Sequence, residues 1–385
     1  MSLVPDVAPI RAFLTPRHLE MAHRVAAYAE REIASLPFPT DDAAARRQAR
    51  DLVSTLGAAG WFAPILDQDL RACCLVREAL AAASPLADAV FALQALGAMP
   101  LLLAGSDDLK RRWLPPLREG HVMASFAMTE HEAGSDVAAI ATAARQDGSD
   151  YVLNGSKAFI SNGGIADYYA VFATTDPTAQ SKGLSCFIVP ADAPGFTFVR
   201  PLVLSAPHPL GEIAFTDCRV PAANRVGAEG EGYKLGLATL DRLRATVGAA
   251  ACGMAARALA EALDHAAERR QFGKPLAEFQ LVQEKLARMA TDLTAGRLLV
   301  YRAAWEKDHG AERVTLEAAI AKAFATEAAQ RIVDDAVQIL GGRGVLADHP
   351  VDRLYRSVRA LRIYEGTTEI QHLLIAGQLL KRRES

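Results

Sequence analysis

The stretch RIYEGTTEIQ (residues 362–371) sets one carboxylate, Glu365, behind the apolar pair Ile363 and Tyr364 and ahead of Gly366, Thr367 and Thr368. A carboxylate there can cap a turn, or it can act as a base. An apolar setting raises a carboxyl pKa, and a desolvated carboxylate is the stronger base. Left buried and unpaired without a role, it is costly. Within four residues only Arg362 offers a partner cation.

Three more segments carry groups suited to holding a ligand. In FAMTEHEAGSD (126–136), Thr129 and Ser135 offer hydroxyls, Gly134 permits close backbone approach and Asp136 is placed to cap the next element. The same residues also suit a strand that ends in a capped turn. In KAFISNGG (157–164), Phe159 and Ser161 take alternate positions of a strand ending in Asn-Gly-Gly, a pattern that also describes a plain hairpin end. ERRQFGKPLAEFQ (268–280) interrupts two helices with Gly273 and Pro275. Arg269, Arg270 and Gln271 then stand at a helix end, where cations complement the dipole. A Phe-Gly pair beside two arginines suggests an anion and ring contact as well.

GRGVLA (342–347) matches a dinucleotide fingerprint, but that fingerprint needs a preceding strand. AAQRIVDDAVQILGG reads instead as a helix closed by glycines. No Walker loop, G-x-S-x-G or H-E-x-x-H is present.

The elements that must position these groups fall into three regions. Up to residue 120 the chain reads helical, punctuated at LPFPT (36–40), Pro85, GSDD (105–108) and LPPL (114–117). Residues 121–225 hold short β-type runs, YYAVFA (168–173), LSCFIVP (184–190), FTFV (196–199) and EIAF (212–215), which predict a compact antiparallel β domain. In 226–385 long helices return. Leu237, Leu240, Leu243, Val247, Ala251, Met254 and Ala258 keep a spacing of three or four, as do Leu286, Met289 and Leu293, and then Ile320, Phe324, Ile332 and Val337. The expected fold class is α+β, with an N-terminal helical domain, a central antiparallel β domain and a C-terminal four-helix bundle.

The 385 residues are 51% hydrophobic and carry 42 Lys+Arg against 45 Asp+Glu, which gives no reason to expect nucleic acid as a partner. Five cysteines without a C-x-x-C pair argue against a disulfide framework or a zinc site and for a reducing, cytoplasmic setting. No signal peptide is read at the N-terminus. The apolar run from Ala89 to Gly105 is short for a membrane span and is broken by Pro100, so it is expected as a buried helix.

In sequence order, AMTEHEAGSD, KAFISNGG, RRQFGKPLAEFQ, QILGGRG (338–344) and YEGTTEIQ resemble the signatures of the acyl-CoA dehydrogenases, over nearly the whole chain from about residue 50. The resemblance implies an FAD enzyme that oxidises an acyl thioester to its trans-2-enoyl form. It implies flavin contacts at Phe126, Met128, Thr129, Ser135, Phe159, Ile160 and Ser161. Others are implied at Arg269, Gln271, Phe272, Phe279, Gln280, Gln338, Ile339, Gly341 and Gly342, held mainly by an adjacent subunit, and at Thr367 and Glu369. Ser135, Asp241, Arg244, Tyr364 and Gly366 are the implied substrate contacts.

Glu365 matches the catalytic base. Some relatives carry the base at the position of Leu243, and leucine accepts no proton. A dimer or tetramer, an acyl-CoA or acyl carrier protein thioester as substrate, and electron-transferring flavoprotein as acceptor are also implied. An acyl-CoA oxidase and a non-catalytic thioester-binding scaffold are the competing expectations.

The chain departs from the family at GWFAPILDQDLRACC (60–74), which is shortened, and at PLVLSAPHPLGEI (201–213), where Gly-x-Arg-x-Ser is usual. It departs also at His131 and Phe159, where proline and tryptophan are common. KAFIS with QFGKPLA resembles branched-chain members.

Overall fold

The computed structural model describes residues 6–384. Helices α1 (Pro16–Tyr28), α2 (Asp42–Ala58), α3 (Ala63–Leu66), α4 (Leu70–Ala83), α5 (Pro85–Ala104) and α6 (Asp107–Arg118) precede an eight-stranded sheet. Helices α7 (Gly232–Glu268), α8 (Gln280–Asp308), α9 (Thr315–Leu340), α10 (Pro350–Leu361) and α11 (Thr368–Glu384) come after it. The chain divides into two compact units. One takes the chain up to Phe38, Asp69–Asp88 and everything from Asp241 on; the other takes Pro39–Gln68 and Ala89–Leu240.

In the second unit the strands are β1 (Ala124–Ala127), β2 (Ala143–Asp147), β3 (Asp150–Ser161), β4 (Tyr168–Thr174), β5 (Leu184–Pro190), β6 (Phe196–Pro201), β7 (Leu210–Pro221) and β8 (Arg225–Val226). Each of the four expected β-type runs falls in one of them. Their order is β6-β7-β3-β2-β4-β5-β8, with β1 beside β4. The expectation of an antiparallel domain needs correcting to a mixed sheet: β1 runs parallel to β4, and β2 meets β4 in parallel at Ala143–Thr174. A parallel neighbour requires a long return crossover, and the β2–β3 hairpin supplies it here. β4 is buried at every position, and Trp113 of α6 packs on its Tyr168 at 4.8 Å between ring centroids.

The expected buried helix is α5. The most apolar window of this helix is 83% buried. Its Gln94 side chain donates to the Val122 carbonyl (2.8 Å) and accepts from Ala124 N–H (2.7 Å), which anchors the start of β1. Ser106, in GSDD, caps α6 by accepting from Leu109 N–H. LPPL does not break the chain as expected, because Pro115 and Pro116 lie inside α6. Proline lacks a donor but keeps its acceptor, and these two carbonyls still accept from Glu119 and His121.

In the first unit, α4 and α7–α10 share one apolar core. The expected stripe on α9 is only partly right. Ile332 is buried, but Ile320, Phe324 and Val337 are only partly so, and alanines 318, 321, 325, 329 and 336 make the contact instead. Small residues let the helices approach to backbone distance. A Cβ on Gly248 of α7 would lie 2.6 Å from Val300, and one on Gly253 would lie 2.1 Å from the Glu78 carbonyl of α4. Leu237, also expected inside, is 37% exposed; Leu235 is buried at that end of α7.

Candidate active site

Glu365 sits in the turn between α10 and α11. Its φ is +54° and that of Gly366 is +90°. Among the described residues seven non-glycine residues have positive φ, and Phe159, Phe272 and Glu365 are three of them. Such backbone is strained, and it persists where the surroundings over-determine it. At Glu365 they do so. Lys322 of α9 donates to the Gly366 carbonyl at 2.6 Å. Gln371 Nε2 donates to the same carbonyl at 2.9 Å and to that of Glu365 at 3.3 Å. Arg362, the expected neighbouring cation, is engaged elsewhere: with Thr368 Oγ1 it donates to Glu327, both at 2.7 Å.

Glu365 as a whole is half-buried, yet its Oε2 is sealed from solvent without a hydrogen-bond partner. Burial pushes its carboxyl above the ordinary glutamate value, Arg77, Lys322 and Arg244 pull it back down, and Asp88 adds to the rise. Thus the Glu365 carboxylate is partly desolvated within a cationic field. Sequence neighbours reveal none of these cations, since Arg77, Arg244 and Lys322 come from α4, α7 and α9.

Arg77 is 2% exposed. It grips Asp88 in a bidentate pair (2.7 and 2.9 Å) and donates to Thr246 Oγ1 at 2.9 Å. Its charge also bears on Tyr364, whose hydroxyl burial pushes well above its usual range. Arg244 is buried and lies 3.3 Å from Asp241, with its Nε unpartnered. Both residues of that implied substrate pair therefore stand together, and Arg244 bears on Glu365. Leu243, at the alternative base position, is buried. The signal that could have exposed Arg77 and Lys322 was charge inside an apolar helical run: the Arg77–Glu78 pair in LVREALAAA and the lone lysine in AAIAKAFA.

In the sheet unit the two implied flavin segments are joined. Lys157, almost fully buried, donates to the Met128 carbonyl (3.0 Å) and to Glu130 Oε1 (2.7 Å). Ala158 N–H donates to the Thr129 carbonyl at 3.0 Å. Glu130 also accepts from Ala141 and Thr142. Burial pushes Lys157 down to about 8, with Glu130 opposing. Between Lys157 and Ile160 the β3–β7 register shifts. This bulge turns Phe159 out at φ +56°, leaving it 55% exposed. The sequence suggested plain alternation there and missed the bulge. Ser161 Oγ lies 2.8 Å from His208 Nε2, in the unusual 201–213 loop, and Ser125 donates to the Ser161 carbonyl at 2.7 Å. Phe126 packs on Phe172, while Met128 and Ile160 are buried and Ser135 is exposed. Asp136 precedes a short turn at Val137–Ala139 without a capping bond from its side chain.

In the helical unit, β9 (Arg270–Gln271) and β10 (Lys274–Pro275) form a hairpin whose two central residues, Phe272 and Gly273, are both left-handed. Phe272 is 94% exposed, edge-on to Phe279. Arg269, Gln271 and Gln280 are exposed nearby. α9 ends at Gly341 (φ +59°), as the glycine cluster suggested, and a Cβ at Gly341 or Gly342 would meet nothing within 4 Å. Gln338 is exposed and Ile339 buried on the same turn. The charges of Arg343 and Arg269 both bear on His265, so the hairpin and the glycine turn share a neighbourhood. Thr367 accepts from Ile370 N–H at 3.3 Å, and Glu369 is exposed. No group of three or more His, Cys, Asp or Glu suited to a metal occurs among the described residues.

Three acyl-CoA dehydrogenase domain families match the chain: the N-terminal domain at residues 15–121, the middle domain at 125–218 and the C-terminal domain at 230–380. The probable acyl-CoA dehydrogenase FadE25 of Mycobacterium tuberculosis is 39% identical over 378 residues, 96% of each chain. The chain belongs to the acyl-CoA dehydrogenase family.

Butyryl-CoA dehydrogenase from Megasphaera elsdenii superposes with a TM-score of 0.90 at 34% identity, covering 95% of this chain and 99% of that one. A chain from the structural study of the electron transferring flavoprotein of Acidaminococcus fermentans gives 0.91 at 36%, covering 95% and 98%. The protein is thus an oxidoreductase of acyl-CoA dehydrogenation, and its cofactor is FAD. Its residues fit that group. The open glycine backbone at Gly341 and Gly342 leaves room for a phosphate or ring to approach, and exposed Arg269 offers a charge-assisted donor beside the same neighbourhood.

Proposed function

We propose that the chain removes the α-proton of an acyl thioester with Glu365 and passes the electrons on through electron-transferring flavoprotein. FAD, when bound, supplies the acceptor for the β-hydride. The observation that carries the reading is the Glu365 carboxylate, with one oxygen sealed and unpartnered on a left-handed turn. A carboxylate held out of water is poised as a base, and Lys322 and Gln371 fix its backbone. Tyr364 and Gly366 flank it as substrate contacts, and Asp241 orients Arg244. A cytoplasmic setting belongs to the same proposal, supported by five cysteines that are all buried free thiols.

The test is anaerobic bleaching of the bound flavin against a panel of acyl thioesters, with the trans-2-enoyl product identified by mass. A thioester that bleaches the flavin without loss of α- and β-hydrogen overturns the reading. The shortened 60–74 segment and the loop carrying His208 favour acyl groups unlike unbranched fatty chains, because loop changes alter who binds more than which reaction is catalysed. Branched, cyclic or carrier-protein-linked thioesters are therefore expected to outpace butyryl- to octanoyl-CoA. Best turnover with the unbranched series removes this part of the proposal.

A homo-oligomer, dimer or tetramer, completes the proposal. A phenylalanine held strained and almost wholly exposed in the 270–275 hairpin is explained by a second copy covering it. Arg269→Ala is expected to lower FAD retained per chain and the oligomer fraction together, read by absorbance and light scattering. Loss of neither separates this hairpin from cofactor and assembly.

A further inference from the structure

Lys322 is 0% exposed, and among the described residues it forms no ion pair. A buried ammonium without a carboxylate partner is expensive. An apolar side chain would fill the same space at lower cost, so a purely packing role does not account for it. What it does in this fold is donate to the Gly366 carbonyl at 2.6 Å from the middle of α9.

That carbonyl belongs to the turn that carries Glu365. Two consecutive residues there, one of them not glycine, are left-handed. A left-handed non-glycine residue is strained, so the turn needs fixed partners. Gln371 supplies one donor and Lys322 the other. The charge also matters. Arg77 is matched by Asp88 and Arg244 by Asp241. Lys322 is the cation of the three that has no ion pair of its own among the described residues, and Glu365 is the first acid that bears on it.

We propose that Lys322 is a positioning residue of the dehydrogenation: through the Gly366 carbonyl it holds the Glu365 turn in its left-handed form, and its charge keeps the Glu365 carboxylate ionised. The proposal rests on the reading of Glu365 as the base. The groups that bear on Glu365 are Arg77 from α4, Lys322 from α9, Arg244 from α7 and Asp88 from α5. Those that bear on Lys322 are Glu365, Arg244, Glu327 and Glu369. Burial lowers Lys322 to about 8, while Glu365 opposes the fall, so it is charged at neutral pH.

The experiment uses FAD-loaded protein with the best thioester of the panel. In Lys322→Met, kcat is expected to fall roughly tenfold to a hundredfold, because a small displacement of a reacting group costs that order. KM and FAD content should stay within about threefold, since neither ligand loses a direct contact. The acid limb of the kcat–pH profile should move up by about one unit, because removing a nearby cation disfavours the carboxylate. Lys322→Arg, which keeps charge and donor, should restore the limb and most of kcat. Lys322→Gln, a neutral donor, should recover part of kcat but leave the limb displaced.

An unmoved acid limb and unchanged kcat in a folded Lys322→Met protein overturn the proposal. So does failure of both the Met and Gln variants to fold, which makes the residue structural. Glu365→Gln is measured alongside. If that variant keeps its activity, the base reading itself fails. If it is inactive while Lys322→Met is unaffected, only the role of Lys322 is lost.

Discussion

Glu365→Gln should slow reduction of the bound flavin by an acyl thioester by at least ~10²–10⁴-fold, the usual effect of losing a general base. The two side chains are nearly isosteric, and the turn is held by backbone carbonyls that bond Lys322 and Gln371, so the fold and the FAD content should survive. Stability should not fall. Burial raises the folded-state pKa of Glu365 above its unfolded value. The contribution of such a group is therefore present at low pH and lost as pH rises through the folded value. At neutral pH the ionised carboxylate costs stability, and glutamine removes that cost. The measurement pairs anaerobic stopped-flow reduction with thermal unfolding of the same sample. Glu365→Asp should keep part of the rate, because the carboxylate remains but stands one methylene further back. Reduction of Glu365→Gln at near wild-type rate would place the base elsewhere.

Arg77→Met should destabilise the protein by about 3–5 kcal/mol, the order seen when one partner of a buried ion pair is removed. Asp88, itself 2% exposed, would be left with a buried charge and no guanidinium. Thr246 would lose its donor and Tyr364 its neighbour. Exchanging both members, Arg77→Met with Asp88→Leu, should recover most of that stability, because the buried charges leave together. Chemistry should not recover fully. Arg77 is the first cation holding Glu365 down and Asp88 opposes it, so the double variant changes the field through what remains of two unequal effects. Urea midpoints of the single and double variants decide the first point. If Arg77→Met unfolds at the wild-type midpoint, the pair contributes nothing.

Much of the fold was legible because its signals are local. β-type runs between turn residues marked β4 and β5 to within a residue, and the glycines at 341 and 342 marked the end of α9. What stayed hidden depends on the third dimension. The parallel placement of β1 beside β4 is set by a crossover no local pattern reports. The alanine face of α9 lacks bulk, so a search for large apolar residues passes over it. Pro115 and Pro116 look like breakers until their carbonyls are traced to their donors. In the candidate site, Glu365 stood out from its own neighbours. The cations that tune it are 43 to 288 positions away, since Lys322 is 365 − 322 and Arg77 is 365 − 77 residues back along the chain. The Lys157–Glu130 clamp likewise ties two motifs that sequence could only set side by side.

Helix α4 gives one of these findings a wider meaning. Thirteen of its fourteen residues are buried, so an apolar stripe cannot tell the helix which way to face. Hydrophobic burial alone would leave several rotations about its axis nearly equal in energy. Consecutive side chains leave a helix about 100° apart. Arg77 meets Asp88 and Thr246 on one bearing, and Glu78 meets Arg297 (2.6 Å) and Tyr301 (2.9 Å) on the next. Turning the helix by a single residue would strand both charges at once. The two pairs therefore act as a key cut on adjacent sides: they select one azimuth from a degenerate set, and that azimuth delivers a guanidinium whose charge bears on Glu365.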